Sequence, residues 1–302
     1  MKYSIRHISA PRFGLLALSI PLLFAFSTAS PLGLRVQPAP GPSNLEATLL
    51  GEGQVSEDLD GCDDASSLEP MGPLSLTQGT VIRSTGAIEA DLTAFRALLG
   101  NPINGAVPGQ QLTGHREINW DAVPATVTNV TDFPAAFFNT TSTRGLVYDL
   151  RSRGLEVSDQ RFTDINPTYA SEFNPFSGLK VFSPVGNNIS DVEFLVSGSD
   201  TEAAVRGFGA VFMDVDVEGS TGLILIAEDG RPLGSILAPA RSDARGASFV
   251  GVVFDEPVIG RVRIVSGNGH LAPNQDDISQ GGHRDLVVVD DILYGEPTAT
   301  GN

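Results

Sequence analysis

The sequence predicts an all-β fold, two packed antiparallel sheets with one short N-terminal helix laid on them. Three observations carry this. From His115 onward the chain is a succession of short β-branched and aromatic runs punctuated by Gly, Pro, Asn and Asp. No helical pattern interrupts those runs, so a parallel α/β sheet is excluded. With 33 Gly and 20 Pro in 302 residues, turns are many and long helices few.

The elements follow in order. Lys2, Arg6 and Arg12 precede an apolar run, FGLLALSIPLLFAF, and Ser27-Thr28-Ala29 supplies the small residues of a cleavage site. Residues 1–29 therefore read as a secretory signal peptide. The run is short for a bilayer span and no second one follows. The expected location is extracellular or periplasmic, without membrane insertion. Residues 30–75 are rich in Pro and Gly, and from Glu46 to Glu69 they carry eight acids and no base. Such a segment cannot bury a core and reads as a disordered linker. Within it, SEDLDGCDDASS echoes a calcium loop, but Ser56 and Ser67 stand at the first and last ligand positions, so it reads as a solvated acidic run. Cys62 is the sole cysteine, so no intrachain disulfide can form.

The folded domain is expected over residues 76–297, with 298–302 as a disordered tail. In STGAIEADLTAFRALLGNP, Ile88, Leu92, Phe95 and Leu99 share one helical face. Ser84 or Thr85 is the expected cap, and Gly100 with Pro102 the stop. REINW, RGLVYDL, LKVFSP, DVEFLVS, GFGAVFMDVDV, TGLILIAEDG, ASFVGVVF, GRVRIVS and DLVVVDDILYG then read as strands. They do not repeat one another, which excludes a propeller or solenoid.

RGFGAVFMDVDVEG, SFVGVVFDEPVIGRVRIVSGN and DLVVVDDILYGEP, with GHREINWDAVPA and RGLVYD before them, resemble elements of secreted bacterial jelly-roll proteins. The closing VVVDDILYG is similar to the last strand of lectin-like sandwiches, adhesion-type modules included. The resemblance spans roughly Asp91 to Pro297. It implies a jelly-roll-like sandwich and a secreted protein, and it implies no reaction.

Chemistry is sparse. The formal net charge of −17 excludes nucleic acid and anionic membrane as partners. There is no G-x-S-x-G, no H-E-x-x-H and no Gly-rich phosphate loop. Carboxylates stand out instead. Asp290 and Asp291 interrupt an apolar strand, so at least one lies beside core and needs a cation, an Arg or backbone N–H groups. Arg206, Arg261 and Arg263 are the candidate Arg partners. Asp214 and Asp216 sit two apart on one strand face, roughly 7 Å from each other. Ser266 to Asp285 is a long Gly-rich loop, expected to join neighbouring strands, that carries Asp276 and Asp277 with His270, Asn274 and His283. Oxygen ligands dominate, which favours calcium over zinc. The candidate metal ligands are Asp214, Asp216, Asp276, Asp277, Asp290 and Asp291. Trp120 and Tyr169 are candidate platforms for a sugar, alongside His270, Asn274 and His283.

The expectation is a secreted, non-enzymatic, calcium-stabilised β-sandwich module that binds extracellular glycan or cell-surface or matrix material. The alternative is an extracellular polysaccharide hydrolase or lyase using carboxylates.

Overall fold

The computed structural model describes residues 79–149, 154–241 and 246–301. The expected signal peptide, the linker and Cys62 lie outside the described residues. The chain forms two seven-stranded antiparallel sheets. Numbered in chain order, one sheet holds β1 (Thr80–Thr85), β2 (His115–Ile118), β4 (Leu155–Ser158), β5 (Val181–Pro184), β8 (Gly207–Met213), β11 (Ala247–Val253) and β13 (Val288–Gly295). The other holds β3 (Leu146–Tyr148), β6 (Ile189–Leu195), β7 (Glu202–Ala204), β9 (Gly222–Ala227), β10 (Pro232–Leu237), β12 (Ile259–Val265) and β14 (Thr298–Ala299). In the first sheet the order is β1-β11-β8-β13-β5-β4, with β2 also paired to β13. In the second it is β10-β9-β12-β6-β7-β14, with β3 paired to β6.

Every strand expected from the sequence forms, and five more appear: β1, β4, β7, β10 and β14. TVIRST, which precedes the helix, is β1 and pairs with β11. Ser84 and Thr85 therefore end a strand and do not cap the helix. Thr298 and Ala299, expected in the tail, pair with Ala204 and Ala203 of β7. The 266–287 segment is no hairpin loop, because β12 and β13 belong to different sheets.

Helix α1 (Glu89–Leu99) follows Ile88, which makes no side-chain cap, and stops at Gly100 as expected. Ile88, Leu92, Phe95 and Leu99 are all buried. They rest on the outer face of the first sheet, because that sheet is apolar on both sides. Phe208, Ala210 and Phe212 of β8 point into the core between the sheets, while Val211 and Met213 join an outer core with α1, Phe162, Tyr169, Phe173, Leu271 and Leu286. The 159–180 and 266–287 segments close that outer layer. Arg263, Arg261 and Glu193 stand partly exposed on the second sheet and Asp191 is buried beside them; the four form cross-strand pairs.

Two glycines make the helix seat. Gly209 and Gly251 face each other across β8 and β11. A Cβ on either would lie 2.8 or 2.6 Å from the Phe95 ring. Absent side chains here let Phe95 sink onto the sheet, edge-on to Phe249 at 5.1 Å.

At one end of the sandwich, the buried Arg116 guanidinium meets Glu296 in two bonds of 2.8 and 2.6 Å. Its three remaining hydrogens are shared among the carbonyls of Gly105, Val107, Thr143 and Gly109 and Ser197 Oγ. Glu296 also accepts from Asn104 and from the Gln111 backbone. This pair is buried and fully hydrogen-bonded, the condition under which a buried ion pair is tolerated. Breaking it on one side is expected to cost about 3–5 kcal/mol.

Gly251→Ala is expected to destabilise the protein by about 1–3 kcal/mol through overpacking against Phe95. Combined with Phe95→Leu it should cost less than the two changes summed, because the shorter side chain vacates the clash. Denaturant melts of the two single variants and the double variant check this, and strict additivity would refute the seat.

Candidate functional site

Strand β13 answers the puzzle of its two adjacent aspartates with a β-bulge. Against β8 its register shifts between Val289 and Ile292, so Asp290 and Asp291 together oppose a single position. Strict alternation would put them on opposite faces. The bulge turns both toward the outer layer, where they are buried. The Asp290 carbonyl, pulled out of the ladder, accepts the indole N–H of Trp120. None of the expected Arg partners reaches the pair. Arg263 binds Asp191 at 2.8 Å, Arg261 binds Glu193 at 2.9 Å, and Arg206 donates to the Phe254 carbonyl. The 159–180 segment supplies the partners instead. The Phe176 N–H lies 2.7 Å from Asp290 Oδ2, and Ser177 Oγ lies 3.1 Å from Asp290 Oδ1 and 2.6 Å from Asp291 Oδ1. Burial, then the neighbouring charge of Asp291, raises Asp290 to about 8, and burial also raises Asp291.

A short network adjoins the pair. Glu117 takes two bonds from Arg96 of α1, at 2.6 and 3.0 Å, and one from His115 at 2.9 Å. Burial alone would raise Glu117, but these hydrogen bonds outweigh it and hold the carboxyl at about 2. His115 bonds acceptors on both ring nitrogens, Gly100 O and Glu117. Burial opposes its charge, and those acceptors still raise its affinity for a proton.

The second carboxylate cluster gathers around Asp277. Strand β8 ends at Met213, and Asp214 follows in the left-handed region, at φ 70°. This breaks the alternation that would have set Asp214 beside Asp216. Asp214 groups with Glu172 and Asp277, while Asp216 groups with Asp277 and Asp285, the ligand atoms of each trio lying within 4.8 Å of one another. Four of these five carboxylates are buried, Asp216 being the partly exposed one. Glu172, Asp216, Asp277 and Asp285 form no ion pair with Lys or Arg among the described residues.

Local donors hold the cluster open. Asp277 starts a short 3-10 turn by accepting Ser279 N–H, and its other oxygen takes Leu286 N–H. Asp285 accepts from Asp216 N, Val217 N and Ser220 Oγ. Glu172 accepts from Ser279 Oγ and Gln280. Burial, then the charges of Asp277 and Asp285, pushes Asp216 up to about 7, and burial raises Asp285.

The other expected site residues are placed as follows. Asp276 stands beside the cluster but outside both trios, accepting from Thr168 and Asn166. His270, Asn274 and His283 are exposed on the 266–287 segment, and neither histidine joins a trio. Trp120 is a core residue, 1% exposed and stacked on Phe182 at 4.5 Å. Tyr169 is fully buried, its hydroxyl bonded to Gln275 and Ala272 so that it joins the two covering segments. Neither ring offers a face to a sugar, because both side chains serve packing.

Glu172 and Asp285 complete the trios. Asp285 stood in the long loop without any signal separating it from its neighbours. Glu172 lies far from the others in sequence and joins them only through the fold. A further acid, Glu156 of β4, is fully buried, with no hydrogen-bond partner on either oxygen, and burial beside the charge of Asp164 raises it to about 7. The three Asn-X-Ser/Thr asparagines use their side chains internally: Asn129 on Asp159, Asn139 on Ser199 O, and Asn188 on Gly267 O.

On the open face of the second sheet, a groove of about 300 Å³ runs where β6, β7, β9 and β12 meet, bordered by Glu193, Glu202, Glu228 and Arg261. No helix among the described residues is long and apolar enough to cross a membrane. Comparison with protein-family models, curated proteins and solved structures gives no match to this chain.

The buried acids set a pH profile. Asp216, Glu156 and Asp290 all bind protons more tightly folded than unfolded, so their stabilisation is complete near the ordinary carboxylate range and is lost as pH rises through about 7 to 8. Glu117 acts oppositely. Its stabilisation holds above the ordinary value and is lost as pH falls toward about 2. In chelator, the melting temperature is therefore expected to peak at roughly pH 4–5 and to decline toward pH 8. Scanning calorimetry across this range tests it, and a profile rising from pH 5 to 8 would refute it.

Proposed function

We propose that this chain is an exported, non-enzymatic β-sandwich module, stabilised by calcium, that engages extracellular glycan or other surface material. One observation carries the calcium reading: Glu172, Asp214, Asp216, Asp277 and Asp285 converge from the two covering segments and from the chain just after β8, with Asp277 common to both trios. The donor set fits. It is all oxygen, it holds no histidine or thiol, and it offers several carboxylates to a cation that takes six to eight oxygens. A bound ion would neutralise carboxylates that otherwise repel, and would fasten the 159–180 and 266–287 segments together.

The ligand reading rests on the groove of the second sheet. Its carboxylates and the Arg261 guanidinium supply hydrogen-bonding groups to hydroxyls, and Ile226 and Leu195 supply apolar contact. The same groove would serve the polysaccharide-cleaving alternative. Binding on a glycan array without chain cleavage supports a module. Cleavage lost in Glu193→Gln or Glu202→Gln would replace it with an enzyme.

Calcium at a hundredfold excess over its dissociation constant adds about 2.7 kcal/mol, which for a domain of this size raises the melting temperature by roughly 5–10 °C. Asp277→Asn is expected to abolish that rise, and Asp290→Asn to leave it intact. An unchanged melting temperature in millimolar calcium would refute the metal reading.

A further inference from the structure

The bulge in β13 leaves a problem in hydrogen counting. Ser177 Oγ lies 3.1 Å from Asp290 Oδ1 and 2.6 Å from Asp291 Oδ1. A hydroxyl has one hydrogen to donate. Either that hydrogen is divided between two carboxylate oxygens or a protonated carboxyl supplies a second one. The two carboxyls are adjacent, are turned to one face by the bulge, and meet the same serine hydroxyl. Both residues are buried, Asp290 completely. Two adjacent carboxylates cannot both stay ionised there without a cation between them. The charged groups facing the pair are Arg96 from α1 and Glu117 from β2, and Glu117 already takes two bonds from Arg96 and one from His115.

We propose that Asp290, Asp291 and Ser177 form a proton-dependent clasp: one proton shared by the two carboxyls fastens the chain around Phe176 and Ser177 to β13 in acidic and neutral solution, and its loss in alkaline solution releases that chain.

The partners explain why the clasp acts on this segment. The Phe176 N–H at 2.7 Å, the Ser177 N–H at 3.3 Å and the Ser177 hydroxyl all come from one stretch and all end on the pair. On the other side, β13 is fixed by its ladder to β8 and β2. When the shared proton leaves, two negative charges meet in a site with a single hydroxyl hydrogen between them. The rigid strand cannot separate adjacent residues, so the covering segment moves and lets water in. The pair titrates as a unit, and the raised value of Asp290 puts the transition near pH 8. This reading is independent of calcium, since neither aspartate belongs to the trios around Asp277.

Hydrogen exchange read by mass spectrometry on the full chain in chelator tests it. Protection of the Phe176 and Ser177 amides, normalised to intrinsic exchange rates, is expected to fall roughly tenfold or more between pH 6 and pH 9, while β10 keeps its protection. In Asp290→Asn the amide donates a hydrogen without titrating, so protection there should stay the same at both pH values. Equal protection at both pH values in the unaltered chain, or a full pH-dependent loss in Asp290→Asn, overturns the clasp. Should Asp290→Asn fail to melt cooperatively at pH 6, Asp291→Asn takes its place. Carboxyl-carbon titration of the unaltered chain by NMR is a second reading. One proton retained by the pair at pH 7 supports the clasp, and both groups ionised at pH 6 overturns it.

Discussion

The central strands of the first sheet are apolar on both faces, and the rest of the structure answers that constraint. A sandwich needs one buried face per sheet. Strands β8, β11 and β13 bury two, and leaving Val211, Met213, Phe249, Val288 and Leu293 in water would forfeit about 1.5–3 kcal/mol for each large side chain. The cover is assembled from what lies beside it in the chain: α1 next to β1, the 159–180 segment between β4 and β5, and the 266–287 segment between β12 and β13. The second sheet keeps an ordinary solvated outer face, where Arg263–Asp191 and Arg261–Glu193 pair across strands.

Covering a sheet with loops brings polar groups into the interior, and the acids there, Glu156 apart, are handled in four ways. Glu296 meets Arg116 in a fully satisfied pair. Glu117 takes Arg96 and His115. Asp290 and Asp291 share the Ser177 hydroxyl, and Asp290 adds the Phe176 and Ser177 N–H groups. The acids around Asp277 lean on backbone N–H groups and serine hydroxyls. Exposed pairs such as Arg231–Asp229, 3.9 Å apart, contribute about 0–1 kcal/mol at most. An uncompensated buried charge costs several times that. The energetics of this acidic chain are therefore decided under the loops and not on its surface.

What was legible in the sequence is what periodicity encodes. Ile88, Leu92, Phe95 and Leu99 repeat at helical spacing, and they mark the seat of α1 correctly. The long strands announce themselves as β-branched runs. Strands β4, β7, β10 and β14 are short, or carry Pro and Gly, and they are strands only because neighbours offer edges to pair with. Two local departures from regular backbone hid the site. The bulge at Asp290 and Asp291 and the left-handed turn at Asp214 both reassign side chains to another face, and no alternation rule foresees either. Aromatic residues carry no label for exposure, so Trp120 and Tyr169 passed as candidate platforms. Glu172 and Asp285 reach Asp277 only through tertiary folding.

Strand β13 pairs with β8, β2 and β5 at the middle of the first sheet, yet it follows every other long strand in the chain. Glu296, immediately after it, closes on Arg116 from 180 positions away. Growth from the N-terminus at roughly 5–20 residues per second leaves β8 without its neighbour β13 for seconds after it emerges. Hairpins of the second sheet can assemble during that interval, but the sandwich cannot close. The topology thus makes folding a single late event with high contact order. A nascent chain that stalls before residue 288 exposes unpaired apolar edges and is the species most in need of a chaperone.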